Sequence, residues 1–271
     1  MTRPNPAAAG TFRALHAQGL LILPNAWDAG SARLVESLGA KAVATSSAAV
    51  AWSHGYPDGD FLPLERLVAT TAAIARVLRV PLSVDIEGGY SADPAVVGAV
   101  VARVIDAGAV GINLEDGGAD PAALCAKIEA ARKAAAGAGV ALYVNARTDV
   151  YLRGLAAEGR RVDATLARAA RYRDAGADGI FVPGVVAADE IAALAAGLRL
   201  PLNVMARPQL PPAARLEALG VRRLSAGAAM AEVMYGRIAA MTAAFLRDGV
   251  SAAVLEGAMD YGEINRLMPE A

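Results

Sequence analysis

One cysteine, two histidines and three lysines in 271 residues exclude several kinds of chemistry at the outset. Cys125 alone can form no internal disulfide and no cysteine-rich zinc site, and a reducing cytoplasm is its simplest setting. No run of 18 apolar residues occurs, and Met1-Thr-Arg-Pro-Asn-Pro6 lacks the apolar core of a signal peptide, so neither a membrane span nor export is expected. Charge of one sign is missing too. With 26 basic against 27 acidic residues the net charge is −1, which gives no field for nucleic acid or an acidic membrane surface.

Hydrophobic residues are plentiful, at 55%, enough for one large core. Eight short apolar runs bounded by turn signals read as buried parallel strands: Leu20–Leu23, Ala42–Thr45, Pro81–Asp85, Val110–Glu115, Ala141–Asn145, Gly179–Val182, Pro201–Met205 and Arg223–Ser225. Between them lie segments of helical period, such as Leu64–Leu78, Pro94–Ala107 and Pro121–Ala136. Asp93-Pro94 and Asp120-Pro121 each place a capping acid before a proline at the first helical position. Eight strand–helix units in about 225 residues predict a single α/β domain over 1–271, a (β/α)8 TIM-type barrel with a helical extension over about 250–271. No Gly-x-Gly-x-x-Gly follows the first strand, which weakens a doubly wound sheet.

The barrel rule puts chemistry at the C-terminal ends of the strands. There stand Asp85 and Glu87 in Ser83-Val-Asp-Ile-Glu-Gly-Gly-Tyr90, Glu115 in Gly111-Ile-Asn-Leu-Glu-Asp116, and Arg147 in Leu142-Tyr-Val-Asn-Ala-Arg-Thr-Asp149. Charges gathered at buried strand ends are costly unless they pair or hold a metal. Asp85, Glu87 and Glu115 are therefore a candidate divalent-cation site, and Arg147 a candidate clamp for an anion.

Laid out in order, these motifs resemble the isocitrate lyase/phosphoenolpyruvate mutase superfamily from about Leu20 to Arg237. The resemblance rests on Pro24-Asn-Ala-Trp-Asp-Ala-Gly-Ser-Ala32, Ala44-Thr-Ser-Ser47, Gly55-Tyr-Pro-Asp58, Asp85-Ile-Glu87-Gly-Gly, Leu114-Glu-Asp116 and Asn145-Ala-Arg-Thr-Asp149. It implies an α-keto acid or related small carboxylate held on Mg2+ or Mn2+, chemistry through an enolate, and a last helix exchanged between subunits of a homodimer or homotetramer. Glu87 stands where the family usually carries aspartate. Ser46 and Ser47 can offer hydroxyls and backbone N–H groups to the substrate carboxylate, and Trp27 can form a dry wall over it. Asp58, on a loop resembling the superfamily's mobile loop, can move protons or close over the metal; His54, beside it, is read as structural. Asn113 and Asn203 are expected to point into the barrel mouth as hydrogen-bond donors to the substrate or to the residues that touch it.

Lyases of the superfamily carry a cysteine base in a Lys-Lys/Arg-Cys-Gly-His loop after the Glu-Asp pair. Here that stretch is Gly117-Gly-Ala-Asp-Pro-Ala-Ala-Leu-Cys125, so the gating loop is absent and Cys125 falls within a helix as a small apolar residue. The lysine- and asparagine-bearing loop of the phosphonate-cleaving members is absent as well. The leading expectation is a lyase acting on a C–C bond of an α-keto or 2-hydroxy carboxylate, like an oxaloacetate decarboxylase or an alkylmalate/isocitrate lyase. A phosphonopyruvate-type mutase or hydrolase acting on a P–C bond and a non-catalytic keto-acid-binding protein are the alternatives.

Overall fold

The apolar runs form nine parallel strands, one more than the sequence pattern predicts. In the computed structural model, which describes residues 5–269, they are β1 (Leu21–Leu23), β2 (Asn25–Ala26), β3 (Val43–Thr45), β4 (Leu82–Asp85), β5 (Gly111–Glu115), β6 (Tyr143–Arg147), β7 (Gly179–Phe181), β8 (Leu202–Met205) and β9 (Arg223–Ser225). Positions 1–4 and 270–271 of the expected domain lie outside the described residues. The extra strand comes from Pro24. Proline has no N–H for the ladder, so the first run changes partner there. β1 pairs with β9 and β2 with β3, and the Pro24 carbonyl accepts from Ala44 N–H at 3.0 Å. The hydrogen-bonded order β1-β9-β8-β7-β6-β5-β4-β3-β2 thereby closes into the (β/α)8 barrel, with the split run as its first stave.

Among the described residues twelve α-helices accompany the strands: α1 (Pro6–Ala14), α2 (Ala29–Ser37), α3 (Ser47–Ser53), α4 (Leu64–Val77), α5 (Pro94–Asp106), α6 (Pro121–Gly137), α7 (Arg161–Asp174), α8 (Ala188–Gly197), α9 (Ala213–Ala218), α10 (Ala229–Asp248), α11 (Ala252–Leu255) and α12 (Tyr261–Leu267). The capping acids act as their positions foretell: Asp93 accepts from Ala95 N–H at 2.8 Å and Asp120 from Ala122 N–H at 2.7 Å. The extension beyond the barrel is helical, as expected, but only Ala231 of α10 is buried. Among the described residues no helix is long and apolar enough to cross a membrane.

Two helices escape the sequence pattern. α3 grows directly from the end of β3, where Thr45-Ser46-Ser47 suggests only a turn. α1 plugs the N-terminal end of the barrel. Its Phe12 is fully buried against Gly111, where a Cβ would stand 2.5 Å from the ring, so only glycine fits. Arg13 donates to the carbonyls of Ala141 and Leu142 at 3.0 Å and pairs with Asp178 at 2.8 Å. His16, just past α1, stacks on Tyr143 with ring centroids 4.0 Å apart. Its Nδ1 lies 2.8 Å from the Phe12 carbonyl and must donate, because a carbonyl only accepts; Nε2 has no partner.

Burial, with the Arg223 guanidinium adding to it, holds the His16 pKa down at about 3. The unfolded imidazole takes up its proton near pH 6.5. Between these values the unfolded chain binds more protons, so acidification favours unfolding. The expected outcome is that the wild type loses about 2 kcal/mol more than His16→Gln between pH 7 and pH 5. Urea unfolding of both proteins at the two pH values measures this, and equal losses would mean that His16 is already charged in the fold.

Candidate active site

The C-terminal strand ends bring the charged residues together as the barrel rule requires. Asp85, at the end of β4 and 8% exposed, donates its N–H to Thr45 Oγ1 at 2.9 Å. Its carboxylate accepts two long backbone bonds, from Ser47 N–H at 3.4 Å and Glu87 N–H at 3.3 Å. Ser46 caps α3 by accepting from Ala49 N–H at 3.4 Å.

Arg147, at the end of β6, is the cation of this acidic group. Its Nε and Nη2 donate to Asp149 at 2.7 and 3.1 Å, and Nη1 stands 2.6 Å from Glu115 Oε2. These contacts use at most three of five N–H groups, so at least two remain for a ligand. Asp149 is fully buried and is itself anchored through its N–H to Asp116 at 3.0 Å. Asp116 accepts from Arg168 at 2.8 Å and from the Tyr172 hydroxyl at 2.7 Å, a buried support beneath the mouth.

The protonation of the acids reflects crowding. Burial pushes Glu115 up to about 8, with Arg147 opposing and Asp85, Asp149 and Glu87 adding to the rise. Burial likewise pushes Glu87 up to about 7, with the N–H of Asp60 opposing and Asp58, Asp60 and Asp85 adding. Asp85 moves in the same direction, chiefly by burial and against the pull of Arg147. Burial works against the charge of Arg147, yet Glu115 and Asp149 outweigh it and hold the guanidinium protonated.

A cavity of about 260 Å³ opens beside these groups. Ser46, Ser47, Asp58, Asp85, Asn113 and Arg147 all line it. Two predicted contacts fall elsewhere. Asn203 belongs to a buried layer inside the barrel, where its amide donates to Val204 O at 2.7 Å, Arg223 O at 3.2 Å and Ser225 Oγ at 3.1 Å. Trp27 lines a separate apolar groove of about 710 Å³ between α2, α10 and α12. The apolar wall of the cavity comes instead from Trp52, Leu152 and Phe181. Cys125 lies half-buried in α6, away from the cavity, with its thiol pushed up by burial. His54 bonds Thr70 at 2.8 Å, a structural contact.

The three candidate metal ligands share one side of the mouth but face different partners. Glu115 is turned to Arg147. Glu87 is turned to the loop of Asp58: its Oε2 accepts from Gly59 N–H at 2.8 Å and from Asp60 N–H, and its Oε1 from the Tyr90 hydroxyl at 3.1 Å. Among the described residues no three histidine, cysteine or acidic side chains form a metal-holding group. Mg2+ needs none, since it commonly takes one or two carboxylates and fills its remaining positions with water and substrate. Asp85, a hard oxygen donor with weak backbone bonds in an acidic surround, fits that requirement.

Sequence reading passed over other residues here. Asn25 accepts from Ala226 and Gly227 N–H, both at 2.9 Å, and donates to Thr45 O at 2.7 Å, which ties the barrel seam together at the mouth. Arg207 lines the cavity just after β8 and was legible by the logic that singles out Arg147, a guanidinium past a strand end. Trp52 was hidden because the sequence pattern shows no helix after β3.

The phosphoenolpyruvate phosphomutase family model matches residues 12–246. An uncharacterized protein of Mycobacterium tuberculosis is 40% identical over 222 residues, 80% of this chain and 81% of that protein. An oxaloacetate decarboxylase of Pseudomonas aeruginosa is 32% identical over 211 residues, 72% of this chain and 70% of that one. A solved structure of a candidate phosphonomutase from Burkholderia cenocepacia superposes with a TM-score of 0.83 at 42% identity, covering 87% of this chain and 98% of that one.

A buried carboxylate kept for ligand binding should weaken the empty fold. Asp85→Asn is therefore expected to raise stability in metal-free buffer by on the order of 1 kcal/mol. Chemical denaturation at pH 8 reads this, and a clear loss of stability would make Asp85 a structural residue.

Proposed function

The chain belongs to the phosphoenolpyruvate phosphomutase family, and on that premise we propose that it is a Mg2+-dependent lyase. It breaks a C–C bond of a small α-keto or 2-hydroxy carboxylate through an enolate, with an oxaloacetate-like acid the best-fitting substrate. One observation carries this reading: the cavity joins Arg147 and Asp85 but, among the described residues, is lined by no lysine, cysteine or histidine. Isocitrate-type cleavage needs a base to take a hydroxyl proton, and of the cavity's lining only the carboxylates Asp58, Asp85 and Glu232 could serve. Decarboxylation of a β-keto diacid needs none: the bond to the leaving carboxylate breaks, CO2 departs, its electron pair enters the enolate, and a proton then reaches the carbon.

On this reading each step falls to a residue of the cavity or its rim. Ser46, Ser47 and Asn113 hold the carboxylate that stays, and Arg147 donates to the oxygen on which charge grows. Asp85 would hold Mg2+ (or Mn2+), with Glu87 and Glu115 deepening the negative field around it. When bound, such a cation draws electron density from the carboxylate and keto oxygens. Trp52, Leu152 and Phe181 keep water from the enolate. Asp58, exposed at the lip, can carry a proton in from solvent. A P–C reading draws on the 42% identity to the candidate phosphonomutase. It needs a group to hold the phosphoryl moiety, and the cavity offers only Arg147 and Arg207 as cations.

The test is Mg2+-dependent release of pyruvate, CO2 or phosphate across oxaloacetate, alkylmalates, isocitrates and phosphonopyruvate. CO2 from oxaloacetate is expected. Phosphate from phosphonopyruvate would transfer the protein to P–C chemistry, and binding without turnover across the series would make it a keto-acid-binding protein. With the active substrate, Arg147→Lys should lower kcat about 10²–10³-fold and change KM far less, because the ammonium keeps charge but loses the planar fork. A rise in KM alone would reduce Arg147 to a carboxylate anchor.

The same reading includes a homodimer or homotetramer with helix exchange. α10 exposes Val233, Met234, Tyr235, Ile238, Phe245 and Leu246, and Ile22 on β1 is 58% exposed where a barrel strand is ordinarily covered by a helix. A second copy's α10 is the occupant that suits both surfaces. Sedimentation should give a multiple of the chain mass of 27.6 kDa, and Val233→Glu with Ile238→Glu should shift it toward one chain. A monomeric wild type would refute the exchange.

A further inference from the structure

Among the described residues Arg223 is the largest fully buried side chain, at 1% exposure, and no carboxylate forms an ion pair with it. Its Nη2 donates to Asn113 Oδ1 at 3.2 Å, while Nε and Nη1 have no protein partner. Asn145 Nδ2 donates to the same Asn113 oxygen at 2.9 Å and to Asn203 Oδ1 at 2.9 Å. This layer lies directly beneath the cavity, because Asn113 also lines the cavity.

The two ends of an asparagine amide are told apart only by their partners. Here two separate chains of bonds assign Asn113. Arginine has donors and no acceptor, so the atom it touches must be oxygen. From the other side, Asn203 reaches the carbonyls of Val204 and Arg223, which only accept, so its nitrogen faces them and its oxygen faces Asn145. Asn145 must then present nitrogen to Asn203, and the same nitrogen reaches Asn113 Oδ1. Both routes leave the Asn113 N–H2 without a protein partner among the described residues. Asn113 lines the cavity with Asp85 and Arg147, so this donor is open to an acceptor there.

We infer that Arg223 is a positioning residue: it locks the Asn113 amide so that its N–H2 donates to a carboxylate oxygen of the bound acid. This rests on the proposed reading of the cavity as a small-carboxylate site. The positive charge of Arg223 below the floor also favours an anion above it, at no cost in side-chain entropy on binding, because Arg223 is already fixed. A neutral or cationic ligand would gain nothing from this arrangement, which makes the pair a determinant of specificity for acids.

The probe is oxalate with Mg2+, titrated calorimetrically into the full-length protein, alongside steady-state kinetics with whichever acid the panel identifies. Asn113→Asp keeps an oxygen for Arg223 and Asn145 but replaces the donor with an anionic acceptor. It should fold with an unchanged or higher Tm and bind oxalate about 100-fold more weakly or worse. Arg223→Gln keeps one donor to Asn113 and should raise KM about tenfold with kcat within about threefold. Arg223→Met, with no donor, should raise KM further. Wild-type oxalate affinity in Asn113→Asp would overturn the inference, as would a wild-type KM in a folded Arg223→Met. If the Arg223 variants fail to fold, Asn113→Asp decides alone. A wild type that binds no acid of the panel would instead fail the carboxylate reading, and this inference with it. Binding and turnover by the wild type with an indifferent Asn113→Asp would remove this inference alone.

Discussion

The mouth of the barrel depends on one arrangement of charge: Arg147 held between Asp149 and Glu115. Asp149 is fully buried, and a buried carboxylate without a partner is among the costliest groups a fold can carry. Arg147 neutralises it through a two-pronged contact, and Asp116 fixes its backbone from behind. That second layer draws on Arg168 and Tyr172 of α7, so the outer helical ring holds the site as well as the strands do. Burial raises the pKa values of Glu115 and Asp85, with Arg147 opposing and the neighbouring carboxylates adding to the rise.

The opposite end of the barrel is closed by different means. α1 presses Phe12 onto Gly111, and the stack of His16 on Tyr143 fills what remains. This apolar plug excludes water from the barrel axis and makes the neutral imidazole necessary. Arg223 spans the two regimes. Its guanidinium lies over the Phe12 ring at 6.0 Å, and its Nη2 reaches Asn113 at the cavity floor. The asparagines between plug and mouth form a polar core layer in which nearly every amide position is dictated by a neighbour.

Much of this was legible in the chain. Parallel strands buried on both faces leave continuous apolar runs, and segments of helical period alternate with them, so the barrel and the strand-end placement of Asp85, Glu115 and Arg147 could be read directly. Cys125 was placed in its helix by Asp120-Pro121 alone. The failures have physical causes. Pro24 follows the first apolar run, and the two residues beyond it, Asn25 and Ala26, are too short and too mixed a segment to read as a strand. α1 is short and alanine-rich, so its buried face consists of little more than Phe12 and Ala9. Trp27 follows the first run in sequence, but the chain has already turned outward by Asp28, which caps α2 through Ser31 N–H at 2.7 Å. Asn203 was placed on the correct strand; which way its amide would be spent depends on Arg223, twenty residues on.

Glu87 shows how a one-carbon change can redirect a residue within a retained pattern. Its backbone adopts φ +52°, and Asp60 and Tyr90 also lie in the left-handed region, at +62° and +60°. Three non-glycine residues in that region store strain of about 1–3 kcal/mol each, which persists only where surrounding contacts compel it. Those contacts are reciprocal: the Glu87 carboxylate takes the N–H groups of Gly59 and Asp60, while Asp60 Oδ1 takes that of Tyr90 at 3.2 Å. Lys127 closes the group through Gly88 O at 2.6 Å. Aspartate, the residue the family usually carries at Glu87, is shorter by one methylene, and the same backbone would leave its carboxylate farther from the 59–60 turn. The added carbon ties the loop bearing Asp58 to the strand end bearing Asp85, so in this chain the lip of the cavity and its acidic floor are held by one side chain.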